Sequence, residues 1–238
     1  MTGNKKQELA ASGVPTVEPI EVLATHLLEV IQSNFSLVFT RMVMLETLDA
    51  LTKISDGERA MANQRFMDEY IPGKVSPELL LSVLRALLEE RVAIRNLFLI
   101  IETIAEAKPM SLSLTRTVEL VRQRLAFQIV DRLQDEQGRL SLVQLSTQWE
   151  QKFAEFEVNN ESGGTDVALP PELFSELING IQAKLNEVAQ KGIVAAVATS
   201  SRRRRFIQTV LASKGIRNAV LAYEEISPRT KPQIIGVV

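Results

Sequence analysis

The chain has 238 residues, with 27 Lys and Arg against 29 Asp and Glu, one His, one Trp and no Cys. Hydrophobic residues make up 45% and charged residues 24%, which are globular values that exclude disordered, collagen-like and coiled-coil arrays. The lack of Cys excludes disulfides and thiolate sites, and a single His excludes a His-rich metal centre. Apolar runs are too short to cross a bilayer and no signal peptide is recognised, so we expect a soluble, cytosolic polypeptide.

The charge is distributed unevenly along the chain. Residues 201–238 contain eight basic and two acidic residues, so this segment carries +6 and residues 1–200 carry −8. Such an asymmetry predicts a basic face for an acidic partner or a neighbouring subunit. The excess is too small for a protein dedicated to binding nucleic acid.

The first part of the chain is predicted to be helical. Residues 1–18 are polar and are interpreted as a flexible lead-in. From Pro19 to residue 135, apolar residues recur at three- and four-residue spacing, which is the period of a helix. Thr40 and Ser76 stand where N-caps are expected. Residues 19–135 are therefore expected to form a helical subdomain of about six helices. One begins at Pro19, a second follows Thr40 and runs through Leu51, and a fourth begins at Pro77; the others are expected over residues 58–70, 92–107 and 115–133.

The pattern changes after Gly138, and residues 136–238 are predicted to form a small α/β subdomain. Short apolar runs typical of buried strands alternate with helical segments. The expected strands are 140–145, 193–199, 219–223 and 234–238, and the expected helices are a short one around Trp149 and longer ones over 170–190 and 201–214. Residues 159–166 are expected to form a loop. The order strand–helix–strand across residues 193–223 predicts a right-handed parallel crossover. The fold class is thus α+β and multidomain, with a helical subdomain followed by the α/β subdomain.

Residues with catalytic potential are few and lack a motif. His26 stands in a helical pattern with no obvious nucleophile or carboxylate partner. The sequence contains no phosphate loop and no carboxylate spacing typical of a metal site. One hypothesis is a hydrolase or transferase acting at Thr199, Ser200, Ser201 and Tyr223, where parallel strands end. No general base accompanies these residues, so we assign no catalytic, cofactor-binding or metal-binding residue.

Four consecutive arginines, Arg202 to Arg205, stand at the predicted start of a helix. The positive end of the helix dipole makes cations unfavourable there, so carboxylates must compensate them. Either Glu224 and Glu225 or an acidic protein partner would do so. Nucleic acid is a third possibility, but Phe206 is the only aromatic residue beside the run.

Three stretches resemble one known family. VEPIEVLATHL (17–27), LLEERVAIRNLFLIIETIAEA (87–107) and VATSSRRRRFIQTVLASKGIRNAVLAYEEI (197–226) are similar to segments of the export-gate proteins of flagella and type III secretion, the FHIPEP family. LTRTVELVRQRLAFQIV (114–130) is a weaker fourth match. The Thr-His-Leu segment favours the flagellar branch. Arg203 departs from the family, which usually has an aliphatic residue at this position.

The resemblance implies a function. The chain would be a cytosolic, non-enzymatic part of an export gate at the inner face of the bacterial inner membrane, in a homo-oligomeric ring that docks chaperone–substrate complexes. The family's membrane half and first cytosolic subdomains have no counterpart in this sequence. Val17, Val22 and Thr25 match positions bordering the family's docking pocket. Arg204 and Arg205 match its arginines and would contact a neighbouring subunit or an ATPase-stalk-type partner, with Arg202 and Arg203 peripheral.

The residues by themselves leave a broader alternative open. A helical and α/β chain with a basic end is also typical of a general interaction module or of a regulator associated with nucleic acid. The reading that we favour involves no cofactor and no nucleic acid.

Overall fold

The computed structural model describes residues 17–159, 165–227 and 229–238. The helices are α1 (Pro19–Ser33), α2 (Phe35–Val38), α3 (Arg41–Thr52), α4 (Gly57–Tyr70), α5 (Pro77–Glu89), α6 (Leu97–Ala107), α7 (Leu114–Arg124), α8 (Ala126–Asp131), α9 (Thr147–Glu155), α10 (Pro171–Gln190) and α11 (Ser201–Ser213). The strands are β1 (Arg139–Gln144), β2 (Glu157–Asn159), β3 (Thr165–Val167), β4 (Ala196–Thr199), β5 (Val220–Ala222) and β6 (Lys231–Val237). Two 3₁₀ turns span Lys108–Met110 and Tyr223–Glu225. The expected lead-in, residues 1–18, lies outside the described residues except for its last two positions.

The chain divides into two compact units. The first contains the described residues up to Ile71 together with Ser76–Ile94, and the second contains Pro72–Val75 and Arg95–Val238. This division differs from the subdomain boundary expected at residues 135 and 136. The reason is that α6, α7 and α8 belong to the same compact unit as the sheet, although their sequences have the same helical period as the helices before them. The change of secondary structure near Gly138 lies within the second compact unit, and a subdomain boundary at this place stays a prediction.

The first unit is built around α5. Leu80, Val83, Leu84 and Leu87 line the buried face of this helix and are completely inaccessible. The Arg85 Nε atom donates a hydrogen bond of 2.9 Å to the Phe39 carbonyl, which ties α5 to the end of α2. Apolar residues at three- and four-residue spacing thus produce the packing that the helical period predicts.

Local capping explains where the helices of the first unit begin. The Thr40 hydroxyl accepts a hydrogen bond from the Val43 N–H, and the Ser76 hydroxyl accepts one from the Leu79 N–H at 3.2 Å. Each side chain satisfies a backbone donor that has no partner inside the helix. Both N-caps were predicted from the sequence, and both are confirmed.

The second unit contains a parallel sheet with strand order β5-β4-β1-β6. All three neighbouring pairs are parallel, with Leu142 opposite both Ala196 and Ile234 and with a register irregularity after Leu142. The parallel pairing of β4 and β5 on either side of α11 and the edge position of β6 are as predicted. The α+β fold class is confirmed.

The two faces of this sheet bury different sets of apolar residues. One face packs against α9, α10 and α11, and its core is formed by Val143, Leu145, Trp149, Phe153, Leu177, Ile181, Leu185, Val188, Ala195, Val197, Ile207, Leu211 and Val220. The other face packs against α8, and its core is formed by Val130, Leu140, Leu142, Ala196, Ala198 and Leu221. Alternate residues of each strand enter opposite cores, as the two-residue period of a strand requires.

The structure differs from the sequence expectations in three places. The helix expected from residue 92 begins at Leu97, after Arg91 takes a left-handed conformation with φ of 59°. The helix expected over 115–133 is interrupted at Leu125, which separates α7 from α8. The stretch 159–166, expected as a loop, is flanked by the antiparallel pair β2 and β3, and residues 160–164 lie outside the described residues.

Candidate functional site

The four arginines lie at the start of α11, directly after β4. Ser200 is the N-cap with an extended backbone, and its carbonyl accepts hydrogen bonds from the N–H groups of Arg203 and Arg204 at 3.0 and 2.9 Å. The Ser200 hydroxyl does not cap the helix but donates to Glu150 Oε1 at 3.1 Å. The positive end of this helix therefore has no side-chain cap of its own, and its compensation comes from other elements.

Arg204 is completely buried. Its Nε atom donates to Glu119 Oε2 at 2.7 Å, and its Nη2 atom donates to Glu119 Oε1, which makes a two-pronged pair with a carboxylate of α7. Such a fork-to-fork pair is the arrangement that a buried guanidinium needs. We therefore correct the expectation that Arg204 contacts a neighbouring protein, because its side chain is inaccessible and binds Glu119 within the fold.

Arg202 and Arg203 were expected to be peripheral, and Arg203 is not. Its side chain is 3% exposed, with Nη2 3.4 Å from Glu157 Oε2 and the guanidinium 5.8 Å from the Phe153 ring centre. That distance allows a cation–π contact. Arg202 pairs with the same Glu157 but remains 57% exposed. At position 203, where the resemblance led us to expect an aliphatic residue, the arginine has its charge compensated inside the protein.

Arg205 is exposed. Among the residues that the structure describes, no carboxylate forms an ion pair with it. Its neighbours along the chain turn toward the core, whereas its side chain faces solvent. Because the charge is accessible, a contact between Arg205 and a partner stays a prediction.

The expected compensating carboxylates, Glu224 and Glu225, do not bind the arginines of α11. Glu225 is buried against α7, where Arg122 Nε lies 2.9 Å from Glu225 Oε1. Its other oxygen accepts a hydrogen bond of 2.8 Å from the Ala222 N–H. Glu224 accepts a hydrogen bond from the Ser201 hydroxyl at 3.0 Å. The expectation that Glu224 and Glu225 compensate the arginines of α11 is therefore corrected, because these two carboxylates bind Ser201 and Arg122 instead.

Two buried ion pairs consequently join α7 to the end of the sheet. Glu119 and Arg122 stand three residues apart on α7 and share a side of that helix. Glu119 binds Arg204 of α11, and Arg122 binds Glu225 of the turn after β5. Helix α7 thus supplies the acid of one pair and the base of the other, and the opposite charges come from α11 and from the turn after β5. The start of α11 therefore contributes Arg204 to an internal charge cluster, while Arg202 and Arg205 remain exposed.

The carboxylates of this cluster were missed in the sequence. Glu119, Glu150 and Glu157 lie 85, 50 and 46 residues from their partners. Glu119 alone had a local signal, because it lies between the buried Val118 and Val121 on an amphipathic helix. Glu150 and Glu157 had none, since only the tertiary fold brings them to α11.

The predicted docking residues lie at α1. Val17 precedes the helix and is 60% exposed, and Val22 is 55% exposed. Thr25 is exposed one turn further along. Val22 and Thr25 are three residues apart, so their side chains share one side of the helix. The structure leaves all three side chains accessible, and their role as a docking surface stays a prediction.

The serines of the catalytic hypothesis have structural partners, whereas the buried Thr199 hydroxyl has no hydrogen-bond partner among the described residues. Thr199 is fully buried, and the hydroxyls of Ser200 and Ser201 donate to Glu150 and Glu224. Burial raises the pKa of the Tyr223 phenol above its usual range, while a hydrogen bond with Gln144 lowers it. The sequence's single His, His26, belongs to the other compact unit. We therefore assign no reaction to these groups.

The part of the chain that the structure describes lacks both a metal-binding cluster and a membrane-spanning helix. Within it, no group of three or more His, Cys, Asp or Glu side chains is arranged to hold a metal ion. Within it, too, no helix has the length and apolar character needed to span a bilayer.

The fold places the chain in a class of known proteins. It is similar to the nonameric SctV-C of EPEC, with a TM-score of 0.81, 17% identity and coverage of 100% of this chain and 69% of that one. It is also similar to Chlamydia pneumoniae CdsV in a complex with CdsO, with a TM-score of 0.79, 17% identity and coverage of 100% and 67%. At these identities the likeness shows a shared fold.

The sequence identifies the family. The FHIPEP family profile matches residues 1–231, so this chain belongs to the FHIPEP family, as the quoted segments predicted. The flagellar biosynthesis protein FlhA of Caulobacter vibrioides is 30% identical over 233 residues, covering 98% of this chain. The match covers 32% of the length of that relative, so the chain spans about a third of it.

Proposed function

We propose that this chain is a cytosolic component of a type III protein export gate of the flagellar kind. It would act without catalysis as a platform that docks chaperone–substrate complexes, at the cytoplasmic face of the bacterial inner membrane. The observation that carries this proposal is the FHIPEP match over residues 1–231, supported by a flagellar relative that aligns with 98% of the chain.

The oligomeric part of the proposal rests on the structural neighbours. A relative of the same fold is nonameric, and another is in a complex with a second protein, CdsO. We infer that this chain also functions in a homo-oligomeric ring with an additional, ATPase-stalk-type partner. Arg205 is the residue of the basic run whose accessible charge suits a subunit or partner contact.

The docking surface that we propose consists of Val17, Val22 and Thr25. Exposed apolar side chains beside a hydroxyl suit a protein partner, because the apolar area provides affinity and the hydroxyl fixes orientation. The acidic Glu21 lies in the first turn of α1, directly before Val22. A chaperone–substrate complex docking there would cover apolar side chains that otherwise contact water.

The test is a binding measurement with a purified flagellar chaperone–substrate complex immobilised on a biosensor. Val22→Asp should weaken binding at least tenfold, because a carboxylate would have to be desolvated in the contact. Val194→Asp is the matched control, since Val194 is an exposed valine of the other compact unit, and it should bind like the wild type. Equal binding by both variants, or none by the wild type, contradicts the docking proposal.

The partner contact at Arg205 has its own test. Arg205→Glu should leave the melting temperature unchanged, because the side chain is exposed, and should reduce export of flagellar substrates in cells. Arg59→Glu is the control, since Arg59 is also an exposed arginine near the start of a helix. Normal export with Arg205→Glu would show that this charge is only solvated.

A further inference from the structure

Strand β6 has one paired edge and one open edge. Among the described residues it pairs with β1 alone, at the end of the sheet. The Val238 N–H donates to the Gln144 carbonyl at 2.9 Å, and the Val238 carbonyl accepts from the Ser146 N–H at 2.8 Å. Because neighbouring residues of a strand direct their backbone groups to opposite sides, the N–H and carbonyl of Val237 point away from β1. The open edge therefore offers a donor and an acceptor to a further strand.

A pocket of about 370 Å³ lies beside β6, on the face of the sheet that packs against α8. This volume is within the range of ligand pockets in proteins. Its apolar lining includes Leu142, Ala198, Ile226 and Ile234. Its polar lining comes from Gln144 and Tyr223, which a hydrogen bond joins to each other. The pocket therefore suits an apolar group better than a charged one.

The side chains between the open edge and the pocket are apolar and accessible. Ile235 and Val238 pack into the core that contains α9, α10 and α11. Ile234 lines the pocket and is 60% exposed. Val237 is 55% exposed and faces the same side as the pocket, because it alternates with Val238 along the strand. A segment that lay along the open edge would cover both of these side chains.

Only part of the edge is suited to pairing. Proteins limit uncontrolled pairing at sheet edges with charged residues, prolines and bulges. Strand β6 begins with Lys231 and Pro232, and its register with β1 shifts after Leu142. Residues 233–237 remain as the open stretch, which fits a short extended segment rather than another complete sheet.

The charge beside the open stretch is positive. Residues 226–238 contain Arg229 and Lys231 and no acidic residue, and both basic side chains are exposed. A second copy of β6 would bring the same charges to this place, whereas an acidic segment would be attracted. The charge therefore favours an acidic partner over a second copy.

The open edge, the pocket and the charge together define one mode of recognition. In strand addition, main-chain hydrogen bonds provide affinity and a side-chain pocket provides specificity. We infer that β6 binds an extended, acidic segment of another protein, which adds a strand to the open edge and places one apolar side chain in the pocket. This inference does not depend on the docking proposal, because β6 and Val22 belong to different compact units.

The first experiment titrates two synthetic peptides into the isotope-labelled chain and follows its backbone amide NMR signals. The probes are acetyl-Asp-Glu-Thr-Leu-Thr-Val-Thr-amide and the same residues in reverse order. The first brings its acids to Arg229 and Lys231 if it lies parallel to β6, and the second does so if it lies antiparallel. One of them should bind and shift the signals of residues 233–237 and of the pocket. If neither peptide shifts these signals, the inference is wrong.

The main-chain contact is tested on both molecules. Val237→Pro removes the N–H at the open edge and should weaken binding at least tenfold, since prolines are tolerated at sheet edges but cannot donate. Val237→Thr keeps the N–H and a β-branched side chain, so it should bind like the wild type. Circular dichroism checks that both variants are folded.

The peptide supplies a test that needs no protein variant. N-methylation of alternate peptide amides gives two versions, one blocked on the side that faces β6 and one blocked on the side that faces solvent. Only the first should lose binding at least tenfold, because only its donors are used. Equal binding by both versions, or full binding by a folded Val237→Pro, overturns the strand addition.

The pocket and the charge make separate contributions. Replacing the peptide leucine with alanine should weaken binding at least tenfold, because the leucine side chain is the one buried in the pocket. The same change at the threonine that follows it should have little effect, since that side chain faces the opposite side. Replacing the two acids with Asn and Gln should weaken binding about twofold, and high salt should abolish this difference. Equal losses at leucine and threonine contradict the role of the pocket.

Sedimentation equilibrium identifies the competing occupant. The wild-type chain and Val237→Pro should have the same mass, because the edge is not expected to bind a second copy. A dimer that Val237→Pro dissociates would assign the open edge to self-association and overturn the assignment to an acidic segment.

Discussion

Helices α1 and α11 show opposite relations between composition and burial. Helix α1 leaves the apolar side chains of Ile20, Leu23 and Leu27 exposed, whereas α11 begins with four arginines and buries two of them. An isolated buried charge costs several kcal/mol, and Arg204 avoids this cost because Glu119 forms a two-pronged pair with it. Composition therefore predicts which side chains need covering, and the neighbouring elements decide which of them are covered.

The largest expected effect tests the buried charge of α11. Arg204→Ala should lower the free energy of unfolding by about 3–5 kcal/mol, because it leaves the Glu119 carboxylate buried without its partner. Denaturant titration followed by circular dichroism measures this difference.

The matched control removes both charges. The double variant Arg204→Met/Glu119→Leu should recover most of the lost stability, since replacing both members of a buried pair with apolar residues is often neutral. A loss below about 1 kcal/mol for Arg204→Ala alone would contradict the structural role of this pair.

The next effect concerns the exposed member of the run. Arg202 is 57% exposed, and its pair with Glu157 is accessible to salt. Arg202→Ala should therefore lower the free energy of unfolding by at most about 1 kcal/mol. Raising the ionic strength should reduce the difference between variant and wild type. A loss as large as that of Arg204→Ala would show that exposure does not separate these two arginines.

The exposed apolar residues of α1 should tolerate polar substitution. Leu27→Glu should change the free energy of unfolding by about 0.5 kcal/mol or less, measured by denaturant titration. The leucine contacts water in the folded and unfolded chain alike, so its replacement removes no core packing. A loss of several kcal/mol would mean that α1 packs against the rest of the chain.

The smallest effect concerns Glu187, a surface carboxylate of α10. Hydrogen bonds from Lys184 and then Lys191, at 2.7 and 3.0 Å, lower the pKa of Glu187 from 4.5 to about 2. Because the pKa is depressed in the folded state, the stabilisation is present above pH 4.5 and disappears as the pH falls through 2. NMR titration of Lys184→Gln should show the pKa of Glu187 moving back toward 4.5, and an unchanged pKa would contradict the pairing.

Local signals accounted for a large part of the fold. The N-caps at Thr40 and Ser76, the strand β4 and the helix α11 were predicted because each rests on residues near in sequence. The interruption at Leu125 was not predicted, because the apolar period continues through it. The docking residues and Arg205 came from resemblance, and the structure adds that their side chains are accessible.

The sequence by itself determined the helical period, the caps, the parallel crossover and the family, since short-range contacts and residue order specify these features. Only the tertiary structure decided that Arg204 is an internal residue and Arg205 an accessible one. These neighbours have the same charge and the same local environment along the chain. Their difference arises because α7 presents Glu119 to one side of α11, across 85 residues of sequence. Burial of a charge depends on such a distant partner, and no local pattern specifies it.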